Sequence, residues 1–411
     1  MPIAAGTTWQ RLCVVVITAV LTLTACNSDN QQRGEAPRAV TDADFSGSGP
    51  GTLVQAQTMP GIDGSVAAAG ARAVRVVYRS TSGLDGRATT VSGAVFVPSG
   101  PPPTGGRFVM SLAHGTSGVR TECAPSLTPT IGGQAALIVA YLKLGFVVTV
   151  SDYQGLGAPG VHPYLNAKTA GLNVIDAVRA ARRVAGGVAG PKWVAFGGSQ
   201  GGGATWAAAE QAGTYAPELA LQGAVSLVPA ADMSGLVQLA QAGTLTRDQQ
   251  AAYIWVLYSL GKTYPDFDLE AYRRGAAAEN WETLSVCAGP RAKKRADVLA
   301  KLQASDLRPA TASAAQRLRT ILQRWALPQR RTSAPLLVLY GGRDSYIRPE
   351  WTRDAIASSC ALGSVVTSQF QPNKGHETVD SSSAVEWLGQ RLAGRPAPNN
   401  CPGSAPSQTG R

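Results

Sequence analysis

Residues 194–203 read VAFGGSQGGG, an apolar run that ends in a cluster of glycines around one serine. Lys192, Trp193, Val194, Ala195 and Phe196 follow Pro191 and have the character of a buried central strand. Residues 204–211, ATWAAAEQ, are mostly good helix formers and stop at Gly213. Between these stretches, Gly197, Gly198, Ser199, Gln200 and Gly201 fit the pattern G-x-S-x-G. With a strand before it and a helix after it, that pattern is a sharp, strained turn that lifts a serine hydroxyl out of a sheet. Gly197 and Gly201 allow close approach of backbone on either side, and Ser199 becomes a candidate nucleophile. Glycine-rich chains produce a bare G-x-S-x-G by accident, so the flanking elements carry the reading.

On both sides of this turn, strands alternate with helices. Residues 73–79 (AVRVVYR) and 89–97 alternate in polarity around Ser82, Gly83, Leu84, Asp85 and Gly86, which predicts an antiparallel hairpin. Residues 108–113 predict a third strand running into His114, Gly115 and Thr116; residues 135–144 predict a helix, and 146–150 a strand opening into Asp152. Leu172, Ile175 and Val178 recur at helical spacing, and Gly186 stops that helix. Strands over 223–228, 336–340 and 365–370 follow, and 384–392 closes as a helix. The alternation predicts an α/β fold: a mostly parallel central sheet with helices on both faces.

Residues 231–333 break the pattern, being helical and amphipathic without a convincing strand, which predicts a helical cap inserted over the site. The core then comprises 52–230 and 334–395, with an irregular tail over 396–411. Tyr253, Ile254, Trp255, Val256, Leu257 and Tyr258 are the most apolar part of the cap, as its own core or as a wall for an acyl chain. The basic run 291–295, RAKKR, fits a solvated helix face better than an attractor of anionic head groups.

The chain of 411 residues is long enough for a large core, and its 44% hydrophobic content is that of a globular protein. Formal charge is +11, but the arginines are scattered among alanines rather than gathered in stripes, which argues against nucleic acid as a partner. Arg11 precedes an apolar stretch over 12–25 with the size of a signal-peptide core, giving a leader over 1–25. The leader ends Leu23, Thr24, Ala25, Cys26, which resembles a bacterial lipobox and predicts lipidation of Cys26, hence a membrane anchor. An ordinary secretory signal is the alternative. Residues 26–51 are polar and rich in Ser, Gly, Asp and Asn, as a flexible tether is. Beyond Cys13 and Cys26 there remain Cys123, Cys287, Cys360 and Cys401, an even number that favours two disulfides in an exported protein. Three pairings are possible, and free thiols are the other reading.

A serine hydroxyl needs a base to take its proton, and the base works best when a third group fixes its tautomer. The chain has three histidines, His114, His162 and His376, and only His376 follows Ser199 as the order Ser, acid, His requires. For the acid we choose Asp344, at the end of a predicted strand and behind Gly341 and Gly342. Asp354 falls in a predicted helix, Asp380 follows His376, Asp306 lies in the cap, and Asp152 precedes the serine and reads as loop-shaping. The oxyanion donors expected are the backbone N–H groups of Gln200 and Thr116. His114 then shapes the loop.

His114-Gly115-Thr116, Cys123-Ala124-Pro125-Ser126, SDYQGLG over 151–157 and the Gly-Gly-Ser-Gln-Gly-Gly turn occur in this order, and together they resemble the secretory lipases of fungi and actinobacteria, within the α/β-hydrolase superfamily. The resemblance covers roughly residues 73–392. It implies an extracellular carboxylic ester hydrolase with a helical cap, acting on acylglycerols or simpler esters through Ser199, Asp344 and His376. It also implies the pairs Cys123–Cys287 and Cys360–Cys401. The anchor at Cys26 departs from the family, whose members are usually freely secreted, and favours substrates near the envelope.

The sequence carries no H-E-x-x-H and no paired C-x-x-C, so neither a metal site nor a cofactor is expected. The same constellation serves peptide hydrolysis or acyl transfer to an alcohol. A non-catalytic envelope lipoprotein on the same fold is the reading from another class, and an intact Ser, Asp, His order argues against it.

Overall fold

The computed structural model describes residues 35–289 and 292–402; the leader, Cys26 and Arg291 lie outside them. Nine strands form one sheet: β1 (Leu53–Thr58), β2 (Arg72–Thr81), β3 (Ala88–Val97), β4 (Arg107–Ala113), β5 (Val147–Ser151), β6 (Ala189–Gly198), β7 (Ala220–Leu227), β8 (Leu336–Gly341) and β9 (Val366–Gln371). Their order is β1-β2-β3-β5-β4-β6-β7-β8-β9. Pairing is antiparallel from β1 through β3 to β5 and parallel from β5 to β9. The helices are α1 (Gly64–Ala68), α2 (Ala135–Lys143), α3 (Ala167–Ala185), α4 (Gln200–Tyr215), α5 (Gly235–Ala242), α6 (Arg247–Thr263), α7 (Gly275–Glu279), α8 (Trp281–Leu284), α9 (Lys293–Leu299), α10 (Ala312–Trp325), α11 (Pro349–Ala361) and α12 (Ser382–Leu392).

The two-residue period of the strands divides the sheet's side chains between two cores. Val109, Ala113, Trp193 and Ala195 join one with α3, α4 and α11, whereas Met110, Leu112, Val194 and Val225 join the other with α2 and α12. Both faces of β4 and β6 are therefore apolar, which is why these strands read as continuous hydrophobic runs.

The inserted segment builds most of a third core from α5, α6 and α10, with Tyr253, Ile254, Val256 and Leu257 fully buried in it. Among its described residues it carries no strand. Thr246 and Gln249 cap α6 reciprocally. At the base of the insertion, Leu327 N–H donates to the Ala231 carbonyl at 2.9 Å.

Two features differ from the sequence expectation. β1 was not expected, because LVQAQT is an edge strand with only Leu53 and Ala56 buried. The polar tether expected over 26–51 does not extend to Gly51: Val40 and Ala43 are buried, and Ala39 bridges Gln57 beside β1. A few apolar residues in a polar stretch suffice to seat it. At the other end, Asn400 N–H donates to the Val366 carbonyl at 3.0 Å, and the tail is tied by Cys360–Cys401. The second disulfide joins Cys123 to Cys287 in the cap, so the pairs are those the family resemblance implies.

Candidate active site

β6 runs directly into α4 through Ser199, whose backbone sits at φ 58°, ψ −119°. A side chain in that region is strained, and the surroundings hold it there. Ser199 N–H donates to the Leu227 carbonyl at 2.9 Å, and the Ser199 carbonyl accepts from Gly203 N–H at 3.1 Å and Ala230 N–H at 3.0 Å. A Cβ on Gly201 would meet the Ala113 carbonyl oxygen at 2.0 Å, and one on Gly197 the Gly201 carbonyl oxygen at 2.4 Å. Only glycine fits at either position. The turn therefore lies against the end of β4, and the His114–Gly115–Thr116 loop crosses beside the serine: a Cβ on Gly115 would come within 3.9 Å of the Ser199 Cβ.

β8 and β9 end side by side and bring Asp344 and His376 together. His376 Nδ1 lies 2.7 Å from Asp344 Oδ2, and both side chains are largely buried. Asp344 Oδ1 accepts from Tyr346 N–H at 2.8 Å and Ile347 N–H at 2.9 Å, which fixes the carboxylate. The carboxylate accepts from Nδ1–H and so fixes the orientation of the ring. Tyr346 lies against the imidazole, with ring centroids 4.7 Å apart. Gly341 and Gly342 matter for a reason the sequence reading did not give. Neither has positive φ; a Cβ on them would meet the Lys374 and Pro372 carbonyl oxygens at 2.3 and 2.4 Å, so they admit the histidine loop.

Ser199, His376, Gly115 and Thr116 line one cavity of about 810 Å³ between the sheet and the cap. Gln200 is the first residue of α4, so its N–H has no carbonyl within the helix to serve. Thr116 Oγ1 is 2.9 Å from Tyr164 OH, which fixes the other expected donor residue.

Asp152 and His114 take the loop-shaping parts expected of them. The Asp152 carboxylate accepts from Ser126 N–H at 2.8 Å and from Ser92 Oγ at 2.6 Å, and His114 Nε2 reaches the Asp152 carbonyl at 3.2 Å. His162 has a part the sequence reading missed. Its Nδ1–H donates to the Gln154 carbonyl at 2.9 Å, and its Nε2 accepts from the Gln200 side-chain amide at 3.0 Å. Burial pushes its pKa down to about 4, so the ring is neutral and acts as a strut beneath Gln200. The signal was present, a histidine shortly after the glycine-rich 151–157 stretch, but chain order drew attention only to His376.

Two cap residues need correction or refinement. Trp255 belongs to the cap core and also lines the cavity. In the basic run, Lys293 and Lys294 are exposed, but Arg295 is buried at the cavity wall. A solvated face is thus wrong for Arg295, because a helical turn carries it inward. The cap is fastened to the segment that follows Thr116 by Cys123–Cys287, by Ala288 N–H to the Ser117 carbonyl at 2.8 Å, and by Arg120, which reaches the Glu282 carbonyl at 2.8 Å.

A mostly parallel sheet, a strained serine at a strand-to-helix turn and an inserted cap define the chain as an α/β-hydrolase. Candida antarctica lipase A in its closed state is similar, with TM-score 0.70 at 17% identity over 87% of this chain and 86% of that one. The rice cell wall degrading esterase LipA of Xanthomonas oryzae is similar with TM-score 0.63 at 21% identity, over 84% of this chain and 97% of that one. The model of the secretory lipase family matches residues 121–400, and the chain belongs to that family. It is an ester hydrolase of the lipase/esterase kind. No curated protein matches the chain in sequence.

Proposed function

We propose that the chain is an exported serine carboxylic-ester hydrolase that works through Ser199, His376 and Asp344. The observation that supports this most directly is the 2.7 Å contact between His376 Nδ1 and Asp344, opening on the same cavity as the strained Ser199. Neutral His376 takes the Ser199 proton on Nε2 as the hydroxyl oxygen attacks the ester carbonyl, and Asp344 stabilises the imidazolium that forms. The oxyanion of the tetrahedral intermediate accepts from the N–H groups of Gln200 and Thr116. His376 then gives its proton to the departing alcohol, leaving an acyl-Ser199 that water hydrolyses by the same route. Acylglycerols and simpler esters are the substrates this chemistry suits.

Hydrolysis of p-nitrophenyl esters from acetate to palmitate, by the parent chain and Ser199→Ala, tests the reading. We expect turnover by the parent and a loss of at least about 10³-fold in the variant with its fold retained. Equal rates in pure samples would overturn the assignment.

Two disulfides suit an oxidising compartment outside the cytoplasm. We further propose that the exported chain is held at the envelope through lipid on Cys26. Cys26→Ala should move it from the membrane fraction to the soluble one; the same distribution for both chains removes the anchor.

A further inference from the structure

Among the described residues, the cap presents one buried cation to the cavity that the hydrolytic mechanism does not use. Arg295, on α9, is 6% exposed. Its Nε donates to the Leu284 carbonyl at 2.8 Å and its Nη2 to the Ala251 carbonyl at 3.2 Å. The guanidinium lies over Trp255, 3.8 Å from the ring centroid. These contacts aim the side chain without neutralising it, and Nη1 has no hydrogen-bond partner among the described residues. Nor does any carboxylate there lie within ion-pair distance of it.

The ionisable groups that act on Arg295 most strongly are the phenols of Tyr164 and Tyr346, both pushed up to about 12 and therefore neutral. Burial lowers the guanidinium to about 10, which leaves it charged at neutral pH. Both tyrosines line the same cavity as Arg295, where Tyr164 touches Thr116 and Tyr346 touches His376. Glu377 also lines the cavity but is exposed, beyond His376. A cation taken out of water without a counter-charge is costly, and a neutral side chain could hold the same two carbonyls. An anion entering the cavity would supply the missing charge.

We propose that Arg295 is an anion-recognising residue of the substrate cavity, and that the esters favoured there carry a carboxylate away from the scissile bond. The inference rests on the ester-hydrolase reading of the same cavity. One guanidinium matches one negative charge and forms two parallel hydrogen bonds to a carboxylate, which is the geometry its planar fork favours. A phosphate dianion calls for a second cation, and no other Lys or Arg among the described residues lines the cavity.

Two arms test this. In the first, the mono-p-nitrophenyl esters of adipic and suberic acid are compared with p-nitrophenyl hexanoate and octanoate, and 4-acetoxybenzoate with phenyl acetate, so that the charge lies on the acyl or the alcohol side. We expect kcat/KM for one carboxylate-bearing set to exceed its neutral counterpart by about tenfold or more. In Arg295→Gln that ratio should fall to about one, and Arg295→Lys should recover part of it. A parent ratio at or below one on both sides, or an unchanged ratio in Arg295→Gln, overturns the inference.

The second arm needs no turnover. Octanoate and octanol are titrated calorimetrically into Ser199→Ala with Arg295 kept and with Arg295→Gln. Tighter binding of octanoate is expected with Arg295 and is expected to be lost with Arg295→Gln, and a preference that is absent in the first or unchanged in the second overturns the inference. If no ester of either kind is hydrolysed, the hydrolase reading fails by itself and the calorimetry still decides the role of Arg295.

Discussion

Ser199 keeps its strained backbone because three hydrogen bonds and two neighbouring glycines leave it no alternative. The tightest point is Gly201, where an added Cβ would sit 2.0 Å from the Ala113 oxygen and 2.8 Å from the His114 oxygen. Gly201→Ala must therefore push α4 away from the loop that carries Thr116, separating the two proposed oxyanion donors. We expect a loss of about 1–3 kcal/mol in stability from overpacking and of at least about 10²-fold in kcat from the displaced donors. Gly187→Ala is the control, because nothing lies within 4 Å of its Cβ, and it should melt with the parent. Thermal melts with ester kinetics decide this, and a fully active Gly201→Ala would mean the turn relaxes without moving the loop. At this scale Ser199, Asp344 and His376 were legible because each rests on local turn chemistry or chain order. His162 and Arg295 were not, because their parts depend on which way a helix or loop turns them against elements distant in sequence.

α4 carries a second buried group, Glu210, that works against its own ionisation. Its two oxygens accept from the Gln329 N–H, each at 3.2 Å. Burial raises its pKa from 4.5 to about 7. The folded chain thus takes up a proton between those values that the unfolded chain does not, so this group's contribution to stability falls as pH rises through that window. At pH 8 the ionised carboxylate costs about 3 kcal/mol relative to acid conditions. Glu210→Gln should accordingly raise the melting temperature over the parent at pH 8 and lose that advantage toward pH 5. The difference between the two chains cancels other titrating groups, His162 among them. A pH-independent difference would show that the carboxylate is adequately solvated. Strands such as β6 and β8 were readable because both faces are buried, and α3 because its apolar residues keep helical spacing. β1 was not, since an edge strand buries too few positions to leave a period.

Among the described residues a sheet lies between two cores, with a third core in the cap and a segment laid along the sheet's outer edge. That segment turns a polar stretch into a working part of the fold. Val40 N–H donates to the Ala56 carbonyl at 2.9 Å, and Thr58 N–H to the Arg38 carbonyl at 2.9 Å, so β1 is partly paired on its open side. Asp44 pairs with Arg183 on α3 at 2.7 Å, and Asp42 with Arg72 on β2. The exposed ion pairs contribute little individually; the buried Val40 and the covered edge contribute more. A chain that starts at Thr52 should therefore lose about 2 kcal/mol or more of stability and self-associate through the uncovered edge of β1. A chain that starts at Glu35 is the reference. Four strands separate β1 from β6, so ester turnover per folded molecule, measured well below the melt, should be equal in the two. Sedimentation and thermal melts of both chains test the argument. A monomeric Thr52 chain with the full melting temperature would mean that the segment rests on the sheet without holding it.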